Sequence, residues 1–169
     1  DGTNLKVFVD GEQLNSETYT SNPGEAETFK IGRGVSAEQT FQGEIDEVRI
    51  YNRSLTPSEI QSLYSTSQHD SITNDWDAGG PVEPQLTATD WNRPDAPGTS
   101  DLVGAWRLNE DHGLSSSGDT TSDWSGNGND GTTKGGITTH VDGAFDGSKA
   151  YRFDGSDDYV DVGEGGGDF

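Results

Sequence analysis

A chain of 169 residues with 31 acidic against 10 basic side chains, and a formal net charge of −21, has no basic footprint for a polyanion, which excludes nucleic acid as an expected partner. Only 27% of the residues are hydrophobic and 24 are glycine, which argues against packed helices and for thin β-layers with many turns. Without cysteine there is no disulfide framework and no thiolate metal site, and without a long apolar run no membrane insertion is expected.

High acidity with low hydrophobicity is also the composition of disordered chains. Two segments speak against disorder: Leu5-Lys6-Val7-Phe8-Val9 and Glu47-Val48-Arg49-Ile50-Tyr51 carry the alternation of strands that bury one face. The charge then reads as a folded surface whose carboxylates hold water and cations, with self-repulsion screened at high ionic strength. A halophilic source is expected, an acidic extracellular protein of a mesophile being the other reading. The chain opens at Asp1-Gly2-Thr3 with no methionine and no signal-like segment, as a mature or excised piece would.

In chain order, residues 1–64 read as strand, turn, strand, with turn signals at Asp10-Gly11, Asn22-Pro23-Gly24 and Gly32-Arg33-Gly34. Leu5, Val7 and Val9 share one face of the first strand, Lys6 and Phe8 the other. Thr56-Pro57-Ser58-Glu59 offers a Thr cap, Pro at the first helical position and Glu closing a capping box, which predicts one short helix near 57–64 with Ile60, Leu63 and Tyr64 on its apolar side. Residues 65–100 hold Pro81, Pro84, Pro94 and Pro97 among scattered acids and read as an acidic Pro/Gly/Thr-rich linker. Trp76 and Trp91 within it suggest that parts dock on a neighbouring surface. Strands return in 101–169, at Leu102-Val103-Gly104-Ala105-Trp106, Ala150-Tyr151-Arg152-Phe153 and Tyr159-Val160-Asp161-Val162, joined by long Asp/Asn/Gly/Ser loops that suit a sandwich.

Three patterns resemble the laminin-G-like (concanavalin A-like) jelly-roll family. Phe41-Gln42-Gly43-Glu44-Ile45-Asp46-Glu47-Val48-Arg49-Ile50-Tyr51, continuing to Ile60, is similar to its closing strand and helix. Leu102 to Glu110, followed by Asp123-Trp124-Ser125-Gly126-Asn127-Gly128-Asn129-Asp130-Gly131-Thr132, resembles its opening strand and first loop. Tyr151 to Val160 is similar to the next strand pair. The resemblance implies an all-β fold made of jelly-roll halves. Their order is inverted: a closing half in 1–64, a linker in 65–100 and an opening half in 101–169. A window cut from a tandem array gives this order most simply. A circularly permuted single domain would leave sheet edges unpaired, and neighbouring chains could instead complete each other by strand addition into a head-to-tail filament.

Glu44, Asp46 and then Val48 alternate where jelly-roll glycanases set three carboxylates on one strand, so the third acid is missing and no catalytic residue is assigned. Asp46 is expected to anchor loops or to pair with Arg49 or Arg53. His69, His112 and His140 stand apart in loops, without zinc or triad spacing. Calcium is the one cofactor proposed, because oxygen ligands from carboxylates and loop carbonyls can converge at glycine-rich turns. Asp123, Asn127, Asn129 and Asp130 form the first candidate loop, and Asp154, Asp157 and Asp158 the second. The same residue types also build turns through side-chain to backbone hydrogen bonds. The resemblance adds weight to calcium, since the family often holds it.

Trp106 is expected in the core and Trp124, in a polar loop, as the stacking residue for a glycan. Asn52-Arg53-Ser54 fits the N-glycosylation acceptor pattern and places Asn52 in solvent. The expected function is a non-enzymatic extracellular, cell-surface structural or adhesive protein whose partners are copies of itself or neighbouring tandem domains, up to a head-to-tail filament. The alternative is a glycan-binding module of a larger secreted enzyme or adhesin, with surface glycans as partners.

Overall fold

The computed structural model describes residues 4–18, 28–34, 36, 39–69, 99–143 and 148–163. The prolines and tryptophans of the expected linker lie outside them. Strands dominate, as expected: β1 (Asn4–Val9), β2 (Glu12–Thr18), β3 (Phe29–Ile31), β4 (Gln42–Ile45), β5 (Val48–Tyr51), β6 (Leu102–Trp106), β7 (Thr120–Thr121), β8 (Gly131–Lys134), β9 (Thr138–Asp142), β10 (Lys149–Asp154) and β11 (Tyr159–Gly163). Among the described residues one α-helix, α1 (Pro57–His69), follows β5, and a 3-10 turn, Thr99–Asp101, precedes β6. The helix runs past the expected end at 64 because no Gly or Pro follows Tyr64 to stop it. His69 is therefore helical and His140 lies in β9, rather than in loops.

The chain divides into two compact units, Asp1–Ser21 with Arg53–Asp101, and Asn22–Asn52 with Leu102–Phe169. The first holds a hairpin and α1. Val9 pairs with Glu12 across Asp10-Gly11, whose φ values of 51 and 77° make the primed two-residue turn that matches strand twist. Leu5, Val7 and Val9 do not bury a face here: they are 58, 46 and 48% exposed, and Leu14 on β2 is 69% exposed. A two-stranded ribbon buries one face only when a second layer covers it.

The second unit cuts across the sequence stretches. Its sheets run β4-β10-β9, β3-β11-β8-β7 and β5-β6, all antiparallel pairs. Registers are Tyr151 with Ile45, Val160 with Ile31 and Ala105 with Arg49. Strands from before residue 53 thus pair with strands from after residue 101 within one chain. The physical reason is edge satisfaction: β6, β10 and β11 present backbone donors and acceptors that β5, β4 and β3 take up.

The core forms between these layers from Ile31, Trp106, Leu108, Ile137, Tyr151, Phe153, Val160 and Val162, with Phe29, Ile45, Val48 and Ile50 packed against it. Trp106 is wholly buried, stacks on Phe29 at 5.7 Å and donates its indole N–H to Asn129 O at 2.8 Å. Gly104 is required beneath it, since a Cβ there would lie 2.2 Å from the indole ring.

Candidate functional site

The loop after β7 is organised by one carboxylate. Asp123 Oδ1 accepts from the backbone N–H groups of Ala105 and Ser125, both at 2.9 Å. Its Oδ2 accepts from the Ser125 hydroxyl at 2.8 Å and Asn129 N–H at 2.9 Å. Burial opposes ionisation of Asp123, but these donors outweigh it and hold the carboxyl below its ordinary range. Asn127 Nδ2 donates to Leu102 O at 2.8 Å and Val103 O at 3.1 Å, and Asn129 Nδ2 to Val103 O at 2.9 Å. Asp130 Oδ1 accepts from Asp123 N–H at 2.8 Å. A carboxylate offers about four lone-pair positions, so the hydrogen bonds to Asp123 occupy them all. The first candidate calcium loop is joined to β6 by its own polar atoms.

Trp124 projects from this loop. Its N–H donates to Ala105 O at 2.7 Å, which fixes the backbone, and its ring lies 4.2 Å from the Arg107 guanidinium. Arg107 is only 5% exposed, whereas Trp124 is 45% exposed. A buried cation against an indole holds the ring in place without covering it. Gly126, Asn127, Gly128 and Asp130 are exposed beside it. The indole is thus a fixed, half-exposed aromatic platform on a polar loop. Arg107 was not singled out in the sequence; its adjacency to Trp106 is the signal that a buried strand end carries it.

The turn between β10 and β11 gathers the second set. Ligand oxygens of Asp154, Asp157 and Asp158 all lie within 4.8 Å of one another, the one such acidic cluster found among the described residues. Asp158 is 3% exposed and accepts from Asp154 N–H at 2.8 Å. Its carboxyl is pushed up by burial and by the charges of Asp154 and Asp157. Three carboxylates this close fit a hard, oxygen-seeking cation, and these residues could hold calcium.

Glu44 and Asp46 are not neighbours on one strand. β4 ends at Ile45 and β5 begins at Val48, and Glu47 between them has φ 51°. Exposed Glu44 accepts from Arg152 at 2.7 Å, while Asp46 is pushed up to about 6 by burial and by Glu47, against a hydrogen bond from Ser148. Asp46 thus anchors a loop to the start of β10. His112 Nε2 lies 3.0 Å from Thr120 O in β7, and His140 Nδ1, from β9, lies 3.0 Å from Asn109 O, so each ring is tied to a backbone carbonyl. Glu110, also not singled out in the sequence, accepts from the Tyr151 hydroxyl at 2.8 Å and from Ser122 N–H at 2.9 Å. Asn52 is exposed at the turn after β5.

Residues 1–61 match the family model Laminin_G_3, the concanavalin A-like lectin/glucanases superfamily. This segment is laminin-G-like. The match takes in β1 to β5 and ends inside α1, so it covers the first of the three resembling patterns and stops before the other two. No curated protein and no solved structure matches the chain. Of the strands in the matched segment, β3 lies in the sheet that carries β7 and β8, which flank the Trp124 loop, and β5 pairs with β6, to which the loop is hydrogen-bonded.

Proposed function

We propose that this chain is a non-catalytic extracellular adhesion module that recognises glycans through Trp124. The observation that carries this reading is the half-exposed indole held by a buried Arg107 on a loop locked to β6. A sugar's apolar C–H face can stack on the exposed ring, and the rigid loop means little ordering cost on binding. The net charge of −21 disfavours sulfated or uronic glycans and so selects neutral ones. The laminin-G-like segment and the exposed acceptor Asn52 support display outside the cell. No described helix is long and apolar enough to cross a membrane. The acidic surface supports a salt-rich habitat.

The test is a neutral-glycan array followed by titration calorimetry on any hit, repeated with Trp124→Ala and with a calcium chelator. A central aromatic contact is worth ~2 kcal/mol or more, so Trp124→Ala should weaken binding about 30-fold while the circular dichroism stays unchanged. Loss of binding in chelator, reproduced by Asp158→Asn, would assign calcium at Asp154, Asp157 and Asp158 to the same function. No hit on the array, or equal binding by Trp124→Ala, would overturn the reading.

A further inference from the structure

Within the sheets, the closing strands join the rest of their unit as edge strands. β3 is the end strand of β3-β11-β8-β7, β4 is the end strand of β4-β10-β9, and β5 pairs with β6 alone. Among the described residues no two of β3, β4 and β5 share a sheet; an Arg33–Thr40 bridge closes the turn between β3 and β4, and the strands take their sheet registers from β11, β10 and β6. They also bring Ile31, and with it Phe29, Ile45, Val48 and Ile50, to the core around Trp106 and Phe153. Residues 102–163 without them would present a bare apolar face and three open strand edges.

We propose that the same edges accept β3–β5 of a second copy, so that the protein self-associates by exchanging this segment. The occupant and its register are already displayed within one chain: Glu44 opposite Arg152, Ile31 opposite Val160, Arg49 opposite Ala105. Exchanged and closed forms share every one of these contacts and differ only in how the connection runs. That connection, residues 52–101 between β5 and β6, is long. Strands joined within one chain meet at an effective concentration on the order of millimolar, so the closed form prevails in dilute solution and exchange grows as protein concentration approaches that level. Reciprocal exchange closes a dimer, and one-way exchange builds an open chain. Salt favours both, because each copy carries a net charge of −21. This inference stands independently of glycan recognition.

The chain has no cysteine, so introduced thiols report without background. Glu44→Cys and Arg152→Cys, made in separate full-length chains, are exposed partners on β4 and β10. The two chains are unfolded together, refolded at micromolar and at millimolar concentration in high salt, and oxidised. Arg152→Cys with Lys6→Cys serves as the collision control, since Lys6 lies exposed on β1. The expected result is a disulfide-linked heterodimer of the Glu44→Cys and Arg152→Cys chains, several-fold above the control and rising with protein concentration. The double variant in one chain should form the same bond internally in dilute solution. Heterodimer at the control level under millimolar refolding would overturn the proposal. So would failure of the double variant to cross-link at all, because the register on which exchange depends would then not form.

Discussion

At the scale of residues, Asp123 shows why a polar loop is ambiguous in sequence. Asp, Asn, Asn and Asp spaced over eight positions are the residue types of a cation loop and equally of a hydrogen-bonded latch. The choice is made by the backbone groups of Leu102, Val103 and Ala105, about twenty residues away, which face the loop and take its donors and acceptors. No local pattern announces that. Trp124 was legible by type and Trp106 by its place in a strand, but the buried Arg107 against the Trp124 ring depends on tertiary packing. Asp123→Ala removes one acceptor from the N–H groups of Ala105, Ser125 and Asn129 together, and each partly buried donor left open costs ~1–3 kcal/mol, less where water can reach it. The expected loss is about 2–4 kcal/mol in urea unfolding, with Asp123→Asn losing less because its carbonyl oxygen still accepts. A loss under ~0.5 kcal/mol for Asp123→Ala would mean that the loop is not latched in solution.

At the scale of elements, signals confined to a few adjacent residues were readable and interruptions were not. The Asp10-Gly11 turn and the α1 cap follow their sequence signatures, because both are decided within four residues. Thr56 Oγ1 accepts from Glu59 N–H at 3.2 Å, and Glu59 Oε2 accepts from Thr56 N–H at 2.7 Å, the reciprocal pair of a capping box. Arg53 adds a fork onto the same carboxylate, at 2.6 and 2.9 Å. The break between β4 and β5 gave no such sign, since Glu47 at φ 51° is an uncommon conformation for a residue with a side chain. Arg53 first, and then the Thr56 N–H, depress the Glu59 carboxyl from 4.5 to about 2. Between those values the unfolded chain binds the proton and the folded chain does not, so the stability from Glu59 is fully present above 4.5 and is lost as pH falls toward 2. Glu59→Gln should therefore unfold at lower temperature than the parent at pH 6, with the gap closing as the pH is taken below 4. Helical circular dichroism followed during melts at several pH values measures this, and a gap independent of pH would mean that ionisation of Glu59 is not what stabilises the fold.

At the scale of the molecule, the inverted order of the family patterns was visible in the sequence and a permuted single domain was among the readings it allowed, but which strands of residues 28–52 pair with which strands of residues 102–163 was not visible. Strand partners fifty or more positions apart are selected by edge satisfaction and core shape, neither of which has a local signature. Charge is different, because it is a sum over the chain. With 31 acids and 10 bases, 31 − 10 = 21 negative charges are left without a compensating basic charge, wherever the chain folds. Their mutual repulsion acts against the compact state and weakens as the screening length shrinks from about 10 Å at 0.1 M salt to about 3 Å at 1 M. Relief of ~1–2 kcal/mol raises the melting temperature of a chain this size by roughly 3–8 °C. Sodium and potassium chloride should give equal gains if screening is the cause, and neither should need a particular cation. Millimolar calcium added at constant ionic strength separates the second contribution: a further rise that disappears in Asp158→Asn places a bound ion at the β10–β11 turn. A melting temperature that does not move between 0.1 and 1 M salt would mean that the carboxylates are spaced widely enough to leave the fold unstrained, and the acidic surface would then need another cause.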